Sequence, residues 1–361
     1  MARLIVVTPN PAVDVTYHVP VFGLGSTVRV CEVSRRPGGK GLNVVRVLRT
    51  LGETAVAVLP LGGSAGQWVS SMMDAEQLAS EVVTVAGETR STVTIVDPVG
   101  HPTVFSEPGP ELSRDEGERL IEAAVRHCEP GGVLVVSGSL PRGTGPEWLG
   151  RLIVAVRGAG ARVLVDTSGA ALLAAAGAGA DLLKPNAGEA VEAVSAALGW
   201  GDHRPSAEGE GEGGAVGDSG GDNSLSVKCA EGEKPGKAAE MTGGDVAGGG
   251  VAGGGVADLN RAVSHLQKLG ASTIVISRGA DGLIAFAPDG TTVKQPAVQG
   301  VTGNPTGAGD AATAGLALAL ARNEGLSQAL RRAAALGAAA VRQPTAGEVD
   351  LADVRAFEEQ L

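Results

Sequence analysis

Short apolar runs alternate with amphipathic stretches along nearly the whole chain. Leu4–Thr8, Ala55–Leu59, Val133–Val136, Arg162–Asp166, Asp181–Leu183 and Thr273–Ser277 are mostly aliphatic, which predicts strands buried on both faces. Between them, 41–51, 66–79, 115–127, 146–158, 187–198 and 258–269 carry helical spacing. This alternation predicts an α/β fold, with a central mostly parallel sheet and helices on both faces. Val15–Val19 with Val28–Val33, and Ser91–Asp97 with Thr103–Ser106, alternate polar and apolar residues instead. They predict a small antiparallel β lid over the open edge of the sheet, at about 15–33 and 91–106. Two last strands at 283–287 and 291–295 precede a helix after Asp310, another at 326–341 and a short terminal one.

Composition changes this picture in three places. Aromatic residues make up only 2% of the 361 residues, so the core must be built from Val, Leu, Ile and Ala. The net charge of −11 is largely local: residues 201–257 hold ten Asp/Glu and four Lys/Arg, a net −6, leaving −5 for the rest. The same segment contains 18 glycines and too little apolar surface to offset its ordering entropy, so it is expected to be a disordered insertion in a single domain spanning 1–361. The mildly acidic remainder gives no sign of nucleic-acid binding. No apolar run reaches the roughly 18 residues of a membrane span, and the start of the chain does not resemble a signal peptide. Cys31, Cys128 and Cys229 are few and widely spaced, suggesting neither a disulfide framework nor a zinc site, and pointing to the cytoplasm.

Several small-residue loops could carry chemistry. Asn304-Pro305-Thr306-Gly307-Ala308-Gly309-Asp310 runs into the apolar stretch Ala311–Ala321. Gly307, Ala308 and Gly309 leave the backbone N–H groups open to an anion at a helix start, with Asp310 beside it as a base. Such a cradle suits phosphoryl transfer, and a small-residue helix cap is the competing reading. In Gly38-Gly39-Lys40-Gly41-Leu42-Asn43, paired glycines admit a ligand, Lys40 adds charge and Asn43 can bond hydroxyls. Asp14 can accept from sugar hydroxyls or simply hold a turn. Arg90 can pair with a phosphate or a surface carboxylate. Ser139 lies in Ser137-Gly138-Ser139-Leu140-Pro141, a small polar strand end. In Lys184-Pro185-Asn186-Ala187-Gly188-Glu189, Asn186 and Glu189 share a helix face and suit hydrated Mg²⁺, or else a capping box. Ser277, Gly279 and Gly282 form a turn that could lie along nucleotide phosphates. The five histidines show no metal-ligand spacing.

Taken together and in order, these motifs resemble the ribokinase-like (PfkB) family of sugar kinases over the whole chain except the insertion. Gly38–Asn43 and Thr306–Asp310 are similar to the family's two signatures, and Lys184–Asn186 with Glu189 to its magnesium–nucleotide motif. Thr8–Asp14, Lys40, Thr89-Arg90, Ser137–Pro141 and Asn304-Pro305 resemble the hexose-phosphate branch. The resemblance implies ATP and Mg²⁺ as cofactors, Asp310 as catalytic base and the Gly307–Asp310 backbone as anion hole. It implies that Asp14, Gly38, Gly39 and Asn43 hold the sugar. Lys40, Arg90 and Ser139 would face its existing phosphate, and Arg29, on the lid strand, would reach a neighbouring subunit of a homodimer formed through the lid. Lys184, Asn186, Glu189, Ser277, Gly279 and Gly282 would serve the nucleotide, with Asn186 and Glu189 meeting the metal through water. For Asp310, orientation is expected to matter more than basicity. The expected reaction is phosphorylation of a ketohexose monophosphate, first of all fructose 1-phosphate. Tagatose 6-phosphate and fructose 6-phosphate remain alternatives, and a non-catalytic sugar-phosphate sensor is a more remote one.

Overall fold

A computed structural model of the chain describes residues 3–23, 25–98, 102–200 and 255–361. The insertion expected at 201–257 therefore lies almost wholly outside the described residues. Strands run in chain order as β1 (Leu4–Val7), β2 (Ala12–His18), β3 (Glu32–Gly38), β4 (Ala55–Leu61), β5 (Ser80–Thr84), β6 (Arg90–Val96), β7 (Thr103–Ser106), β8 (Val133–Ser137), β9 (Arg162–Asp166), β10 (Leu182–Leu183), β11 (Thr273–Ser277), β12 (Leu283–Phe286) and β13 (Thr292–Gln295). The helices are α1 (Lys40–Thr50), α2 (Gly63–Ala75), α3 (Arg114–Arg126), α4 (Pro146–Gly158), α5 (Gly169–Gly177), α6 (Ala187–Leu198), α7 (Val256–Leu269), α8 (Ala308–Ala321), α9 (Leu326–Val341) and α10 (Leu351–Gln360).

Among the described residues, nine strands form the central sheet in the order β13-β12-β11-β10-β9-β8-β1-β4-β5. It is parallel from β5 to β11; β12 runs antiparallel to β11, and β13, antiparallel to β12, runs with the rest. The continuous apolar strands split their side chains between two cores, as buried parallel strands must. Leu4 and Val6 pack with α1, α2, α8, α9 and α10, whereas Ile5 and Val7 pack with α3 to α7. No described helix is long and apolar enough to cross a membrane. The chain winds outward from β1 first through β4 and β5, then back through β8 to β13. The crevice between the carboxyl ends of β1 and β8 is therefore a topological switch point, where open α/β sheets bind ligands. At those ends, Thr8 Oγ1 and Ser137 Oγ are buried without a hydrogen-bond partner among the described residues.

The lid is a separate four-stranded sheet, ordered β3-β2-β6-β7. It differs from the expectation in register and direction. Its first hairpin pairs 12–18 with 32–38 rather than 15–19 with 28–33, and β2 runs parallel to β6. Pro20, Gly23 and Gly25 interrupt the chain after Val19, so Arg29 sits in an exposed loop before β3, not on a strand. Pro37 can occupy β3 because that strand is an edge, where its missing N–H is tolerated. Asp14 is consequently a strand residue facing Arg36 in register, and not part of a turn. Cys128 is a free, partly buried thiol.

Candidate active site

Helix α8 opens on Gly307, whose φ of 86° lies in the left-handed region, and a Cβ there would come within 2.7 Å of Ala346 Cβ. The turn before it is tied down by Asn304, which accepts from the Thr306 N–H at 3.0 Å and donates to Pro344 O at 3.2 Å. Asp310 follows in the first helical turn and is 6% exposed. Its Oδ2 accepts from Asn43 Nδ2 at 2.8 Å, joining the two glycine-rich loops across 267 residues of sequence. Burial, reinforced by the negative charge of Asp166, pushes the Asp310 pKa up to about 7. The Asn43 bond and the charges of Lys40 and Lys184 oppose that rise. A pKa near neutrality lets a carboxylate in this position exchange a proton at ordinary pH, so basicity stands beside orientation.

Asp166 itself received no role from sequence. It ends β9, is 2% exposed and forms a buried ion pair with Lys184 at 3.2 Å. Lys40 approaches its other oxygen at 3.9 Å, and the Thr313 hydroxyl lies 2.9 Å from both Asp166 Oδ2 and the Gly309 carbonyl. Asp166 therefore fixes Lys184 against the start of α8, where a Cβ on Gly309 would stand 3.8 Å from the Lys184 ammonium. The signal was available, because a carboxylate ending an apolar parallel strand has no packing reason to be there. Lys40 is held toward these carboxylates: Asp166 above all, then Asp310 and Glu189, raise its pKa against the effect of burial.

The residues expected to hold the sugar also converge. A Cβ on Gly38 would fall 2.0 Å from the Asp14 carboxyl carbon, so glycine is what lets that carboxylate lie over the loop. Burial raises the Asp14 pKa, only partly countered by Arg46, Arg90, Arg36 and the Gly39 N–H. Arg90 Nε donates to Asn10 O at 3.2 Å, and Asn10 Nδ2 donates to Ser139 Oγ at 3.3 Å. Asn10 is the second residue that sequence reasoning left without a role; it links Arg90 to Ser139 and keeps a buried Oδ1 with no partner among the described residues. Arg29 is not brought into this group.

On the other flank, Asn186 and Glu189 form a reciprocal capping box, with both bonds at 2.8 Å. Both readings are compatible, since the box engages Glu189 Oε2 and leaves Oε1 for a hydrated cation. No cluster of three or more His, Cys, Asp or Glu among the described residues offers direct metal ligation. This donor set suits Mg²⁺ that retains its waters. Asn186 bridges to Ser277, so the two motifs expected to serve the nucleotide adjoin. Gly279 and Gly282 shape the following turn, with φ of 57° and 81°.

Comparison with known proteins agrees with this geometry. A family model described as pfkB family carbohydrate kinase matches residues 7–208 and 246–352. The tetrameric inhibited form of phosphofructokinase-2 from Escherichia coli is similar at 26% identity and a TM-score of 0.77, covering 100% of this chain and 99% of that one. The same enzyme in complex with fructose-6-phosphate gives 26% identity and a TM-score of 0.76 over the same shares. A possible 1-phosphofructokinase from Thermotoga maritima, at 18% identity and a TM-score of 0.72 over 99% of this chain and 97% of that one, shares the fold.

Proposed function

Because the chain belongs to the pfkB family of carbohydrate kinases, we propose that it phosphorylates a ketohexose monophosphate, converting fructose 1-phosphate to fructose 1,6-bisphosphate. The observation that carries this reading is the buried Asp310, with a pKa of about 7, at the glycine-lined start of α8 beside Lys184 and Lys40. Bound Mg²⁺–ATP would supply the phosphoryl group, with Lys184, Asn186, Glu189 and the Ser277–Gly282 turn as its protein contacts. Asp310 takes the proton of the attacking sugar hydroxyl, and Asn43 holds the carboxylate in line for it. The N–H groups of Gly307 to Asp310 and the Lys184 ammonium meet charge in transfer, where positioned donors contribute most. Asp14, Gly38, Gly39 and Asn43 hold the sugar.

A phosphate already on the substrate gives Arg90, Ser139 and Lys40 a common purpose. Lys40 is half exposed and carries positive charge between that end and the catalytic carboxylates. Arg90→Gln and Lys40→Met should therefore raise KM for the sugar phosphate at least tenfold and leave KM for free fructose unchanged. Equal losses on both sugars would contradict a phosphate subsite. Fructose 6-phosphate is the second reading, favoured by the likeness to the phosphofructokinase-2 crystallised with that sugar. Val33, Val104 and Phe105 leave apolar surface exposed on the lid strands, which suits a homodimer formed through the lid with Arg29 at its rim. Sedimentation as a monomer at assay concentration would contradict that assembly. From its family membership we place the reaction in the cytoplasm.

A further inference from the structure

Between β3, α1 and the loop before α10 lies a cavity of about 610 Å³, separate from the residues assigned to catalysis. Its walls include Arg35, Arg36, Arg46, Arg49, Glu76 and Glu348. Four guanidiniums thus face two carboxylates, and Asp14, whose charge couples to Arg46 and Arg36 from outside the lining, still leaves the cluster net positive. Arg46 is the most deeply set, at 7% exposed. Its Nε and Nη2 hold Glu76 at 2.8 and 3.1 Å, and Nη2 also donates to Pro37 O at 2.8 Å. Its Nη1 is buried with no partner among the described residues. Arg36 forms an ion pair with the half-exposed Glu348 at 3.3 Å. Burial and then repulsion from Arg46 weaken its hold on its proton. Arg49 Nη1 is engaged by the Glu76 carbonyl.

Like-charged guanidiniums with an unsatisfied buried donor are costly unless an anion joins them. Net positive charge on planar, forked donors matches a multiply charged oxyanion. We propose that this cavity binds a phosphate dianion, free or as the terminal group of a small metabolite. The occupant would compete with Glu348 for Arg36. It would sit against the catalytic loops, because Arg46 holds the carbonyl of Pro37, next to Gly38. On the other wall, a Cβ on Gly347 would approach Asn43 Oδ1 to 2.9 Å.

The inference is independent of the substrate reading, and calorimetric titration of the full chain at constant ionic strength separates the two. Inorganic phosphate and glycerol phosphate are titrated into the wild type, Arg90→Gln and Arg36→Gln/Arg49→Gln. Arg90→Gln should still bind one phosphate, and the double arginine variant should bind at that site at least tenfold more weakly. Arg36→Lys/Arg49→Lys should recover part of the affinity. Should Arg36→Gln/Arg49→Gln fail to fold, Arg35→Gln/Arg49→Gln changes two exposed positions and should show the same weakening. Heat from inorganic phosphate alone would identify the free ion as occupant, and heat from both probes a phosphomonoester group. Absence of phosphate binding to Arg90→Gln, or equal affinity in wild type and the arginine variants, would overturn the proposal.

Discussion

Replacing Asp310 by Asn should make the protein more stable as it makes it inactive, and the gain should depend on pH. Burial and the nearby Asp166 charge raise the Asp310 pKa from 3.8 to about 7. Between those values the native state binds this proton more tightly than the unfolded chain does. Stability from this group is therefore complete below the unfolded pKa and is lost as pH rises through the folded one. At ~1.4 kcal/mol per pH unit, an interval of about three units costs the wild type about 4 kcal/mol at high pH. About 2.5 kcal/mol of that loss falls between roughly pH 5 and pH 8. Asn cannot ionise, and its Oδ1 can still accept from Asn43 Nδ2. In urea unfolding at the two pH values, the stability difference between Asp310→Asn and wild type should thus grow by about 2.5 kcal/mol toward alkaline pH. The same variant should lose ~10²- to 10⁴-fold in kcat, the usual contribution of a positioned base. Parallel stability profiles for the two proteins would refute the burial argument, and near-normal turnover would refute the role.

Two other substitutions probe the supports of that residue. Asp166→Asn removes the negative charge that helps raise the Asp310 pKa, so the acid limb of kcat/KM should move to lower pH. It also leaves buried Lys184 without its carboxylate, at a cost of ~3–5 kcal/mol measurable by denaturant unfolding; an unshifted acid limb would count against the coupling. Gly307→Ala forces a side chain into the left-handed region and toward Ala346, so a loss of ~1–3 kcal/mol together with a fall in kcat is expected. Unchanged kcat would show that the helix start does not shape the phosphoryl site.

Much of the fold was legible because buried parallel strands advertise themselves as aliphatic runs. The predicted strands Arg162–Asp166 and Thr273–Ser277 and the helices at 146–158, 187–198 and 326–341 recur with the same bounds. What escaped had weak or misleading patterns. Helix α5, Gly-Ala-Ala-Leu-Leu-Ala-Ala-Ala-Gly, has no polar face to reveal a period. Edge strand β5, Ser-Glu-Val-Val-Thr, is only partly apolar. The lid register was obscured because Pro37 and two glycines look like a turn, and only an edge position makes them a strand. In the site, the motif order pointed to one shared cleft, and the bond from Asn43 to Asp310 is what the structure adds. Asp166 and Asn10 were missed because each acts through partners distant in sequence, Lys184 in one case and Ser139 in the other.

The central claim is that this site phosphorylates a sugar that already carries a phosphate. Coupled ADP release, measured with fructose 1-phosphate, fructose 6-phosphate, tagatose 6-phosphate and free fructose as acceptors, tests it most directly. We predict the highest kcat/KM for fructose 1-phosphate and at least a hundredfold lower value for free fructose, consistent with the loss of about 3 kcal/mol of charge-assisted contacts. Turnover of free fructose equal to or better than that of every sugar phosphate would contradict the account.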